Sequence, residues 1–217
     1  MSTSDAIAEL NRSNLAERTL VTLARGNWNS PDVLLVECGS LRAVVKDFAP
    51  RSRWLRATFG RWQIRREAEI YRALADHPAV PRLLGRLDRF ALVVEHRPGL
   101  RFSRRRPWLF SPRFTTELRE AVAGLHARGV VHLDLAHRSN VRAAPDGRPV
   151  LIDFDASLRF RRGSWAWRWL FPLARRVDER ALAKWERHVA RASAQPPSAA
   201  VADGTSSETG RGASRPM

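Results

Sequence analysis

The segment GVVHLDLAHRSN, residues 129–140, decides how this chain is read. It opens as a β-branched apolar run, the pattern of a short buried strand, and then places His132, Asp134 and Asn140 within nine positions. A solvated turn accounts for a single Asp or Asn in such a place, because both residues bond their own backbone. A second segment gives the first its weight. RPVLIDFD, residues 148–155, follows across an Asp146-Gly147 turn and reads as a strand ending in carboxylates. Two acidic groups and an amide converging at strand ends can hold Mg²⁺, which takes hard oxygen ligands and shares them with substrate phosphates. A further carboxylate can then orient an attacking hydroxyl.

The totals permit this reading and exclude others. At 217 residues the chain is long enough for one substantial domain or two joined lobes, and 44% hydrophobic with 28% charged residues is ordinary for a folded protein. Cys38 is the only cysteine, so internal disulfides and cysteine metal clusters are ruled out, as suits a reducing compartment. The N-terminus has no apolar core behind a basic segment, and no run approaches the roughly 20 residues of a membrane span. The expected location is the cytoplasm, at most peripheral on the inner face of the membrane. The net charge of +16 calls for an anionic partner. It is nearly all arginine, since Lys46 and Lys184 are the only lysines.

Outward from the opening segment, alternation predicts three strands between Arg18 and Phe48, a helix over 61–76, and two further strands before the Pro98-Gly99 break. TTELREAVAGLHARG reads as an amphipathic helix capped by Thr115 or Thr116. VDERALAKWERHVA reads as a last helix with Val177, Ala181, Trp185 and Val189 aligned. Residues 1–14 look like a flexible lead-in, and 192–217, small, polar and rich in Pro and Gly, like a disordered tail. The fold class expected is α+β in two lobes, 15–97 and 98–191.

Lys46 ends the apolar strand VVK, where a buried ammonium needs a counter-charge. Glu67 shares the apolar face of its helix with Ile64, Tyr71 and Leu74, and a carboxylate facing a core is costly unless paired. Each is the natural partner of the other. Glu69 projects to the opposite side.

The order VVK, a helical Glu, LVVEHRPG, LHARGVVHLDL with a following Asn, and IDFD resembles the protein-kinase-like fold. The likeness covers roughly residues 18–190. It implies an ATP- and Mg²⁺-dependent phosphotransferase in which Lys46 holds the α- and β-phosphates and pairs with Glu67. It makes Asp134 the catalytic aspartate, Asn140 and Asp153 the magnesium ligands, and His132 a structural member of the loop. It sets the backbone of Glu95 and Arg97 against adenine. The chain departs from the pattern in several places. Leu133 stands where an arginine is usual, Asp155 where a glycine is usual, and Ala136 where many kinases carry a lysine. The first hairpin lacks a glycine-rich loop and offers Gly26, Asn27 and Ser30 as phosphate contacts. Little follows Asp155, a layout similar to small bacterial and atypical kinases: the Kdo and heptose kinases of the lipopolysaccharide core, and the RIO family. The resemblance therefore implies a glycolipid sugar as acceptor. The alternatives are a RIO-like serine/threonine kinase and a non-catalytic pseudokinase bound to membrane or nucleic acid.

Three segments hold no acidic residue: RSRWLRATFGRWQIRR, RFSRRRPWLFSPR and RFRRGSWAWRWLFPLARR. They carry Trp54, Trp62, Trp108, Trp165, Trp167 and Trp169, six of the eight tryptophans, among many arginines. Arginine interleaved with tryptophan suits a membrane interface or a phosphorylated acceptor. Nucleic acid is the less expected partner, because charge is the only signature of it.

Overall fold

The computed structural model describes residue 7, residues 9–103 and residues 110–194. Its first half is an antiparallel sheet of β1 (Thr19–Ala24), β2 (Asp32–Cys38), β3 (Leu41–Asp47), β4 (Leu83–Asp88) and β5 (Ala91–Glu95), in the order β1-β2-β3-β5-β4. Alternation assigns the faces. Val36, Cys38, Ala43, Val45, Ala91 and Val93 share one buried layer, while Leu92 and Val94, with Val44, pack into the main core against Ile64, Ala68 and Tyr71. Lys46 lies two residues beyond Val44, so its side chain takes the main-core side.

The helix bearing those core residues is α1 (Arg61–Ala73), entered through a short turn at Arg53–Leu55 and a π-helical turn at Arg56–Gly60. Gln63, Ile64, Glu67, Ala68, Ile70 and Tyr71 are its buried residues, the 3–4 spacing of a helix laid on a sheet.

The other sheet face is closed by the segment read as a lead-in. Leu10 and Leu15 are buried against Val36, Val45 and Val93, and Arg12 donates to Asp47 at 2.5 Å and to Asp88 at 2.7 Å. A sheet with two apolar faces needs cover on both. Burial of each leucine is worth about 1.5–3 kcal/mol, more than a free lead-in could gain.

The second half is mainly helical. A three-stranded ladder, β6-β8-β9, joins Leu100–Arg101 (β6), Val141–Ala143 (β8) and Pro149–Leu151 (β9), and Val130–Val131 (β7) pairs with Leu158–Arg159 (β10). The Asp146-Gly147 turn joins β8 to β9 as expected. The ladder stops at Leu151, so IDFD is not strand: Asp153 takes φ +67°, a left-handed conformation that carries it off the ladder. Helix α2 spans Pro112–Ala127, and its N-cap is Ser111, whose hydroxyl accepts from Phe114 N–H. Thr115 and Thr116 fall inside the first turn and donate to the Pro112 carbonyl instead. Proline at the first helical position, behind a serine, sets the earlier start.

A short helix α3 (Trp165–Trp169) leads into α4 (Phe171–Ala194). Ala181, Trp185 and Val189 are buried as expected, but Val177 is exposed. Because α4 starts at Phe171, the inward row runs through Phe171 and Asp178, and Val177 falls beside it. Ala192 is also buried, so the helix runs past the expected start of the tail. Residues 195–217 lie outside the described residues. The class is α+β, and among the described residues no helix is long and apolar enough to cross a membrane.

Candidate functional site

Three elements bring their charges to one point. β3 delivers Lys46, α1 delivers Glu67, and the segment after β9 delivers Asp153 and Asp155. Lys46 Nζ lies 2.6 Å from Glu67 Oε1, 2.7 Å from Asp153 Oδ1 and 2.7 Å from Asp155 Oδ1. The pairing of Lys46 with Glu67 expected from their faces is present. Asp155, read in the sequence as a strand-end carboxylate standing where a glycine is usual, also reaches Lys46, a contact the sequence did not suggest.

Helix α1 also fixes the backbone of that segment. Gln63 donates to the Asp155 carbonyl at 3.0 Å, and Arg66 donates to the Asp155 and Ser157 carbonyls, each at 2.7 Å. Phe154 turns inward between them, its ring 5.2 Å from Tyr71 and 4.8 Å from His132.

One ammonium against three carboxylates leaves a formal charge of −2 in a largely buried place. Burial alone would lower the Lys46 pKa, but Asp155, Glu67 and Asp153 hold it well above its ordinary value. Burial pushes Glu67 up, and Lys46 only partly offsets this. Burial would also raise Asp155, yet Lys46 draws it down to about 2. Glu67, the most buried of the three, is thus where the surplus negative charge is least tolerated, and it takes up a proton more readily than an ordinary carboxylate. Oxygens of Glu67, Asp153 and Asp155 lie within 4.8 Å of one another, a set of hard donors that suits a divalent cation.

The 129–140 segment lies alongside. Asn140 Nδ2 donates to the Asp134 carboxylate at 2.7 Å and to its carbonyl at 3.1 Å. The Asn140 carbonyl accepts Ile152 N–H at 3.0 Å, which links this loop to the residue before Asp153. His132 is wholly buried, with Nε2 3.2 Å from the Ile152 carbonyl, and its pKa is lowered, chiefly by burial. That is the structural part expected for it.

What holds the loop was not read from the sequence. Asp178, on α4 and fully buried, accepts His132 N–H at 2.9 Å and Leu133 N–H at 2.8 Å, and lies 3.0 Å from His126 Nε2. Leu133 has φ +67°, a costly conformation for a non-glycine residue. A buried carboxylate with two backbone donors can hold such strain. The only sequence signal was an acid at the end of a long basic stretch, on the same helical row as Phe171 and Leu182.

A cleft of about 220 Å³ opens beside Lys46 and Asp153, with Val33, Val44, Tyr71, Val94 and Ile152 as its apolar walls. Asn140, Glu95 and Arg97 also line it. The Glu95 carboxylate accepts from Arg82 N–H at 3.0 Å and from Arg97 Nε at 3.1 Å. Arg142 reaches the same cleft with its Nε buried and, among the described residues, without a hydrogen-bond partner, opposite Arg101 in the β6–β8 pair.

Gly26, Asn27 and Ser30 do not line this cleft. Their turn is closed on itself: Gly26 N–H donates to Asp32 at 2.8 Å, and Asn27 N–H to Ser30 Oγ at 2.9 Å. A Cβ at Gly26 would collide with the backbone of Ser30 and Pro31, so glycine there serves the turn. Of the sequence-derived site residues, then, Lys46, Glu67, Glu95, Arg97, Asp134, Asn140 and Asp153 are brought together, and the three hairpin residues are not.

The tryptophans divide. Trp54, Trp62, Trp165 and Trp169 are exposed, whereas Trp167 stacks on Phe171 with ring centroids 4.1 Å apart. Trp108 lies outside the described residues. No protein-family model matches this chain, and no curated protein is significantly similar to it in sequence.

Proposed function

We propose that this chain is an ATP- and Mg²⁺-dependent phosphotransferase of the protein-kinase-like fold, two-lobed with a reduced helical second lobe. The single observation that carries this reading is the Lys46 ammonium held between Glu67 of α1 and Asp153 of the 151–155 segment, beside a cleft of about 220 Å³ that has both apolar walls and polar residues. Asp153, Asp155 and the Asn140 amide oxygen are hard donors with charge to spare, and so fit magnesium. When bound, the ion would draw negative charge from the triphosphate oxygens.

The chain's own residues have separable parts in the transfer. Lys46 offsets charge on the α- and β-phosphates, and Glu67 keeps the ammonium in place. Asp134, fixed by Asn140, accepts the proton of the acceptor hydroxyl. The hydroxyl oxygen bonds to Pγ as the bond from Pγ to the β-phosphate oxygen breaks, and ADP leaves. The backbone of Glu95 and Arg97 lies where the base would be read.

The acceptor this reading favours is a hydroxyl on a glycolipid sugar, because exposed tryptophans and arginines follow the Asp153 segment. A pseudokinase is the second reading, favoured by the self-bonded 26–30 turn, which leaves the Gly26 and Asn27 amides no phosphate to hold. Labelled ATP offered with glycolipid, with protein and with no acceptor separates these. Label on glycolipid in the wild type and none in Asp134→Ala supports the reading. Label on protein alone points to a RIO-like activity, and no turnover at all to the pseudokinase.

A further inference from the structure

The helix pair after the acidic cluster is apolar on both sides, and among the described residues its outer side is left exposed. Trp167, Phe171, Ala174 and Asp178 face inward, with Phe171 and Trp167 packed in a small core beside Val131 and Phe160. On the opposite side Trp165, Trp169, Leu173 and Val177 recur every four residues and are 68%, 62%, 57% and 42% exposed, with Leu170 beside them at 44%. The row runs from α3 across the break at Leu170 into α4. Four large apolar side chains in helical register are more than scattered exposure requires.

The charge around the row identifies what covers it. Between Asp155 and Asp178 there is no acidic residue, while Arg159, Arg161, Arg162, Arg168, Arg175 and Arg176 are all exposed. A second copy of this face would set arginine against arginine, so self-association through it is opposed. An anionic lipid surface satisfies both features at once: indoles lie at headgroup depth and guanidiniums meet phosphates. A second exposed tryptophan, Trp62 on α1, lies under Arg66, whose guanidinium carbon is 4.9 Å from the ring centroid and which also holds the Asp155 and Ser157 carbonyls.

We propose that the face formed by Trp165, Trp169, Leu173 and Val177 with the flanking arginines docks on an anionic bilayer surface, lying in the interface rather than crossing it. This deepens the glycolipid reading by naming the surface that would bring such an acceptor to the cleft, but its physical basis does not depend on phosphotransfer.

Flotation of the full chain with vesicles, in the absence of nucleotide, tests it. Wild type is expected to float with phosphatidylcholine vesicles carrying a third phosphatidylglycerol, and to partition at least about tenfold less onto phosphatidylcholine alone. The triple variant Trp165→Ala, Trp169→Ala, Leu173→Ala is expected to lose at least about tenfold in partition onto the anionic vesicles. Its fold is checked by circular dichroism and thermal melting, and Trp28→Ala, an exposed tryptophan on the β1–β2 turn, is expected to float as wild type. The proposal is overturned if wild type stays with the soluble fraction, if the folded triple variant floats unchanged, or if the variant alters only self-association in light scattering. Since no ATP is present, failure here leaves the phosphotransferase reading standing, and failure to bind ATP leaves this surface standing.

Discussion

Lys46 and Asp155 are 109 positions apart in the chain and 2.7 Å apart in the fold. Their contact closes a cluster in which one ammonium serves three carboxylates, and the imbalance makes the cluster's behaviour on mutation asymmetric. Lys46→Met removes the only cation and leaves Glu67 buried without a counter-charge, at a cost of about 3 kcal/mol or more in chemical unfolding. Glu67→Gln removes surplus negative charge while Asp153 and Asp155 still satisfy the ammonium. It should be as stable as wild type at pH 7, or more so. Equal losses for the two variants would show that the charges are balanced and that the site has no room for a cation.

Divalent metal should act on the same imbalance. Magnesium at millimolar concentration is expected to raise the melting temperature of wild type by a few degrees through binding to the folded state alone. The rise should shrink or vanish in Asp153→Asn with Asp155→Asn. A rise of the same size in the double variant would place the ion elsewhere.

The loop that carries Asp134 depends on a residue some 45 positions away. Asp178→Ala deletes the acceptor of the His132 and Leu133 amides and releases the strained Leu133 backbone. The expected loss is about 2–4 kcal/mol, from two buried donors left without partners. Amide hydrogen exchange should speed up first at His132 and Leu133. Unchanged protection at both positions would mean that the carboxylate is not what holds the loop.

Acid should weaken the fold in two stages. Burial lowers the pKa of His132 from its usual 6.5, and His77 and His96 shift the same way. The unfolded chain therefore takes these protons first, so the histidines' contribution is complete above about pH 6.5 and is lost as pH falls through their folded values. For fully buried His132 the slope approaches about 1.4 kcal/mol per pH unit. Asp155, lowered from 3.8 to about 2, adds a second loss below pH 4. Glu67 is shifted upward, so its contribution runs the other way: present at low pH, it fades as pH rises above the usual carboxylate range. Urea titrations at pH 7, 6 and 5 read the first stage directly. A flat line there would mean that the imidazoles take up protons in the fold as readily as in the unfolded chain.

The sheet and α1 were legible in the sequence because each strand alternates and α1 repeats at 3–4 residues, so burial is written into the order of side chains. The Lys46–Glu67 pair was legible for the same reason: both charges stand on faces otherwise apolar. Other features depend on tertiary contacts that no local pattern encodes. Asp178 meets His132 only once α4 is laid across β7. Asp155 reaches Lys46 only because Asp153 adopts a left-handed backbone that ends the strand early. Leu10 and Leu15 gain their value from a sheet face formed by residues far downstream. At the α2 cap, Pro112 at the first helical position outranks the later threonines. The 26–30 turn misled because its polar atoms are used within the turn, a matter of geometry and not of composition.

Titration calorimetry of ATP into the protein with magnesium present, for wild type and for Asp153→Asn, tests the central claim most directly. The account predicts one site per chain in wild type, weakened at least about tenfold when magnesium is removed, and a comparable weakening in Asp153→Asn with little further dependence on the metal. Absence of nucleotide binding in folded wild type, or binding in Asp153→Asn that still strengthens with magnesium as wild type does, would contradict it.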